Sequence, residues 1–141
     1  MRLCKFISIN RVTFYNQFDI LEDVLCYEFD NKLKECLAEN KDLPLIKAII
    51  KVASDNKDLS TPLVASGHSE LFFVRTKEKE EAIFQSLSKE ATDQEKDYYF
   101  EVISRATCGV LNVWVNNGYK EDEDALYEIL KREINLVSAA L

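Results

Sequence analysis

An all-α fold is expected for this chain, and three observations carry that expectation. Apolar residues recur at helical spacing along most of the 141 residues, without convincing strand-like alternation. Only three Gly and two Pro punctuate the chain, and its breaks fall at 40–43, 56–62, 67, 89–93 and 116–122. Strong helix-start and helix-stop residues stand at several of those breaks.

The elements follow in order. From residue 20, Ile20, Val24, Tyr27, Leu33 and Leu37 approximate one stripe, leaving Glu22, Asp23, Glu28, Lys32 and Lys34 for solvent; this predicts a long amphipathic connector. Leu45, Ile46, Ile49, Ile50 and Ala53 predict a short, mostly buried helix, with Pro44 near its first turn, where a missing N–H costs little. Thr61-Pro62 is a possible start for another short helix, ended by Gly67. A longer helix should then hold Leu71, Phe72, Val74, Ile83, Phe84 and Leu87. Its middle, Lys77-Glu78-Lys79-Glu80-Glu81, is charged on all sides and must be a solvated surface, a kink, or a loop between two pieces.

Thr92-Asp93-Gln94-Glu95 fits the capping box, in which hydroxyl and carboxylate each satisfy a free backbone N–H. The helix that follows, 93 to about 117, is apolar on more than one side, from Tyr98 and Tyr99 to Trp114 and Val115. It must meet more than one partner, and Gly118 is placed to end it. Four acids, Glu121 to Asp124, suit the positive end of the last helix, which runs through Leu126, Ile129, Leu130, Ile134 and Val137.

Composition narrows the function classes. An apolar fraction of 47% with eight Phe and six Tyr argues against disorder, and a chain of this length buries roughly two thirds of its unfolded surface without a disulfide or metal staple. No apolar run approaches the ~18–20 residues of a membrane span, and no signal-peptide core follows Met1, so a cytoplasmic protein with no membrane partner is expected. Residues 1–18 hold Arg2, Lys5 and Arg11 and no acid; the overall charge of −7 leaves −10 for the rest. That division excludes a protein that coats nucleic acid with its whole surface, but it permits a small basic head on an acidic body.

Cys4, Cys26, Cys36 and Cys108 show neither paired metal-ligand spacing nor companion histidines, His68 being the sole one, so buried reduced thiols are expected and no metal. Cys26 and Cys36 stand roughly 15 Å apart along one predicted helix, too far to bridge. No constellation supports an enzyme, and no cofactor is implied.

The block Ile-Asn-Arg-Val-Thr-Phe-Tyr-Asn-Gln-Phe at residues 9–18 resembles the recognition helix of TetR-family transcription regulators, Val-Ser-x-x-Thr-(Phe/Leu)-Tyr-x-His-Phe. The resemblance extends through the connector, the run Ala-Glu-Asn-Lys-Asp-Leu-Pro-Leu, and Val110 to Gly118 with its acidic sequel. It implies a TetR-like helical bundle with two parts: 1–19, a partial helix-turn-helix, and 20–141, a regulatory and dimerisation body.

Carried over by residue, Asn10 caps the recognition helix, and Arg11 and Val12 fill positions that commonly face base edges, Arg being suited to guanine. Thr13 and Tyr15 match phosphate-contacting positions, while Asn16 and Gln17 offer further contacts; Phe14 and Phe18 match core positions. Gln17 departs from the usual His or Tyr, and Asp19-Ile20-Leu21 stands where the family usually has a Lys, which lowers the expected DNA affinity. Only Met1 to Ser8 precede a block that the family's first helix and most of its second normally support.

The implied function is a repressor that binds a double-stranded DNA operator as a homodimer under control of a small-molecule effector. The alternative is a dimeric sensing or protein-interaction module that does not bind DNA by itself. The resemblance assigns the dimer interface to the last two helices, with Val110, Val113, Trp114, Leu126, Leu130 and Ile134, and an effector pocket to the body, with Phe72, Arg75, Tyr99 and Ile103 as candidates. Aromatics at this spacing equally suit a core, and His68 and Arg75 equally suit surface or capping places.

Overall fold

The computed structural model describes residues 18–141, with side chains from Glu22 onward. The expected DNA contacts Asn10 to Gln17 lie outside the described residues. Within them six α-helices and one 3-10 helix follow one another with no strand: α1 Phe18–Glu39, α2 Leu45–Asp55, α3 Lys57–Ala65, the 3-10 helix Ser69–Phe73, α4 Lys77–Phe84, α5 Asp93–Asn116 and α6 Glu123–Ala140. The fold is all-α, as the helical periodicity led us to expect.

The most enclosed helix is α2. Leu45, Ala48, Ile49, Ile50, Val52 and Ala53 are buried because α1, α3, α4 and α6 all pack against it. Only Asn56 separates α2 from α3. The Asn56 amide donates to Val52 O at 2.9 Å, and the buried Ser60 hydroxyl donates to Ala53 O at 2.8 Å, so the corner holds its own polar groups. The start expected at Thr61-Pro62 is corrected: α3 begins at Lys57 and Pro62 lies inside it. Leu59, Leu63 and Val64 are buried, and their packing outweighs the backbone N–H that proline lacks.

Two helices end as expected. Gly67, at φ +78°, and Gly118, at φ +76°, adopt the left-handed conformation that closes a Schellman motif. His68 N–H reaches Leu63 O after α3, and Tyr119 N–H reaches Trp114 O after α5, at 3.0 and 2.9 Å. The Thr92–Glu95 capping box forms in both directions, and the Asp122 carboxylate accepts from Ala125 N–H at 2.7 Å to start α6.

Two expectations need correction. On α1 the buried stripe is Leu25, Phe29, Leu33 and Cys36, while Tyr27 is 64% exposed and Val24 and Leu37 are half-buried. Glu22 is not free for solvent: its side chain is 13% exposed. The long helix expected over Leu71 to Leu87 is two pieces, the 3-10 helix and α4, joined by extended backbone at Val74 and Thr76. The charged run is the first turns of α4, capped by the Thr76 hydroxyl, and its Lys79 is buried. Core rings anchor both pieces: Phe29 meets Phe72 edge-on at 5.0 Å, and Phe73 and Phe84 both meet Phe100, at 5.4 and 6.4 Å.

Candidate functional site

The last two helices leave an apolar trough open to solvent, about 600 Å³ in volume. Its floor is Trp114, Leu126 and Leu130, buried within the chain, together with half-buried Val110 and Ile129. Its rims are exposed apolar side chains, Val102 (65%) and Val113 (62%) on α5 and Ile134 and Val137 on α6. Charge is confined to Arg105, Glu121 and Glu133 at the edges. All six residues assigned by resemblance to the interface line this trough, four in its floor and Val113 and Ile134 on its rims. An apolar strip this continuous is unusual on a surface that solvent alone covers.

Tyr119, outside the trough, supports Trp114 of its floor. It is the one non-glycine at positive φ among the described residues, at 58°. Its ring packs edge-on to Trp114 at 4.8 Å, and its hydroxyl lies 2.7 Å from the Ser60 hydroxyl and 2.8 Å from that of Thr61. The Trp114 indole N–H donates to Glu121 O at 2.9 Å, which fixes the α5–α6 connection.

A second, smaller cleft of about 210 Å³ lies between the 3-10 helix and α5, where Phe73, Phe100, Ser104 and Cys108 form the wall and Glu70, Arg75, Glu101 and Arg105 the edge. Of the four residues assigned to an effector pocket, only Arg75 lines it. Phe72 is wholly enclosed against Phe29, and Tyr99 and Ile103 are half-buried beside the core, with the Tyr99 hydroxyl 3.1 Å from that of Ser86. Arg75 bonds to Asp97 at 2.6 Å and to Glu80, and lies over the Phe100 ring. Its hydrogen bonds to Asp97 and then Glu80 raise the guanidinium pKa further, so its charge is fixed and already matched.

Sequence reasoning missed the polar contacts that key α1 to the segment around the 3-10 helix. Glu22, Cys26 and Asp30 lie at intervals of four on α1. His68 Nε2 lies 2.9 Å from Glu22 Oε1, close in distance without being an aligned hydrogen bond; this oxygen is shielded from solvent. The Cys26 thiol points at Leu71 O at 3.7 Å. Lys79, with 3% of its side chain exposed, donates to Asp30 at 3.0 Å and to Val74 O at 2.8 Å. A signal for Lys79 was present: it lies one turn before buried Ile83, on the apolar face of α4.

Cys26, Cys36 and Cys108 are free thiols. Burial, and to a lesser degree Asp30 for Cys26 and Glu70 for Cys108, pushes both of these thiols up to about 11. Burial also raises Cys36. They are therefore protonated and poorly nucleophilic at neutral pH. In the folded chain, iodoacetamide at pH 7.5 should modify these three positions far more slowly than in urea, read by peptide mass spectrometry. The unfolded chain loses these protons from about pH 9 while the fold holds them to about 11, so stability should fall across that window. A Cys26→Ala/Cys108→Ala variant should show a smaller fall in urea midpoint between pH 8.5 and 10.5.

Among the described residues no three His, Cys, Asp or Glu side chains gather as a metal site, and no helix is long and apolar enough to cross a membrane. Among the described residues, fold and trough together define an all-helical domain with an exposed apolar face on its last two helices. A family model for the transcriptional regulator C-terminal region matches residues 43–136, and the chain belongs to that TetR family of transcription regulators. No curated protein and no solved structure matches it.

Proposed function

We propose that this chain is the subunit of a homodimeric repressor, in which residues 1–19 read an operator and residues 20–141 form the body that pairs two copies and senses an effector. The observation that carries the dimer is the trough. An 18-residue α6 is roughly 27 Å long, and with α5 beside it the face is about 20 Å wide, so two copies would bury on the order of 1,100 Å². That is enough for a specific interface, and the exposed valines and isoleucine supply the apolar core such interfaces have. Basic residue content at the N-terminus and an acidic body support DNA contact through the head alone.

Regulation follows from the same arrangement. A ligand held against the helical body shifts the population toward the body shape it fits best, and α1 carries that shift to the head. The chemistry required is binding and a change of spacing, with no bond made or broken.

Sedimentation velocity from 1 to 100 µM tests the pairing. Wild-type chain should sediment as a dimer at the upper end, and Val113→Glu/Ile134→Glu should stay monomeric and helical, since buried unpaired carboxylates at an interface cost several kcal/mol. A double variant that dimerises like wild type would remove this face from the proposal.

A further inference from the structure

Gly109 lies well inside α5 and opens onto the trough. Glycine in a helix interior is unfavourable relative to alanine, so some compensating need is expected. Nothing among the described residues supplies it. A Cβ built on Gly109 meets no atom within 4 Å, and its φ is not positive, so neither crowding nor backbone conformation calls for glycine. Along the same face, Ala106 precedes it and Val102 and Val113 stand on either side, both largely exposed. The α5 rim of the trough is therefore lowest at Ala106 and Gly109, a notch between two valines.

Resting on the homodimer reading above, we propose that Gly109 is where α5 of a second copy crosses, its backbone seated in the notch. A two-fold interface is self-complementary, so one notch on each copy lets both helices approach at the same place. The missing Cβ permits a closer approach than two ordinary side chains allow. The trough edges suit this occupant: Arg105, paired in its own chain with exposed Glu101 at 2.7 Å, stands on the α5 wall, and Glu133, 3.5 Å from Arg132, on the α6 wall. Two facing copies therefore bring opposite charges that can exchange partners at the solvent edge.

Sedimentation equilibrium on full-length wild type, Gly109→Ala and Gly109→Leu tests this, with circular dichroism as the fold control. Both variants should keep wild-type helicity, because the added side chain has open space within its own chain. Dimer dissociation constants should rise by at least tenfold for Gly109→Ala and a hundredfold for Gly109→Leu. A wild-type dimer with Gly109→Leu pairing at wild-type affinity overturns the crossing at Gly109 and leaves the dimer standing. Wild-type chain that stays monomeric to 100 µM overturns the homodimer, and this inference with it.

Discussion

Trp114→Ala should lower the unfolding free energy by about 3–5 kcal/mol, the range for emptying a large buried aromatic site. Trp114 is 2% exposed, and three functions converge on it. It fills the junction of α5 and α6, its indole N–H holds Glu121 O, and its ring packs on Tyr119, which occupies a strained left-handed conformation. Alanine would leave a cavity, free the α5–α6 connection and remove the contact that accompanies the Schellman turn. Trp114→Phe should cost less, about 1–2 kcal/mol, because it keeps most of the burial and loses the hydrogen bond. The sole tryptophan cannot report on its own removal, so urea unfolding should be followed by far-ultraviolet circular dichroism. A loss under 1 kcal/mol for alanine would mean that Trp114 is not packed as described.

Lys79→Ala should cost nearly as much, about 3 kcal/mol, through a different mechanism. Removing one member of a buried ion pair leaves the other charge without compensation. Lys79 loses a bond to Asp30 and one to Val74 O, and Asp30 is left with the Cys26 thiol at 4.0 Å. Asp30 retains 21% exposure, which places the cost at the low end for such pairs. Lys79→Met with Asp30→Asn should recover much of the loss, because no uncompensated charge remains. A double-mutant cycle gives the coupling directly, and a coupling near zero would show that the two side chains do not meet.

Much of the fold was legible because local chemistry decided it. The capping box at Thr92, the glycines at 67 and 118 and the acids before α6 each satisfy helix-end groups within a few residues, and each did so in the structure. The α1 stripe was misread because polar residues share its inner side. Glu22, Cys26 and Asp30 lie beside Leu25, Phe29 and Leu33, and their partners His68, Leu71 and Lys79 are distant in sequence. A hydrophobic pattern cannot register a side chain whose burial depends on a remote partner. The same limit hid Lys79 within a run that looks solvated.

For the candidate site, the apolar residues on several sides of α5 pointed to more than one neighbour; the 3-10 helix, α3, α4 and α6 pack against it, and the trough is the apolar surface left exposed. What the pattern could not separate was floor from rim. Trp114, Leu126 and Leu130 are core within one chain, whereas Val113 and Ile134 are exposed. The smaller cleft was less legible still, since Phe73, Phe100, Ser104 and Cys108 come together only through the turn of the 3-10 helix against α5.

The most direct test of the regulator account is selection of duplex DNA from a randomised pool by the full chain, with affinities of the enriched sequence then measured at 50 and 200 mM salt. The expected result is a pseudo-palindrome with half-sites about one helical turn apart or slightly more, bound with steep salt dependence and lost in Arg11→Ala and Tyr15→Ala. Failure to enrich any sequence, with equal weak binding by wild type and both variants, would contradict it and leave a dimeric sensing or interaction module.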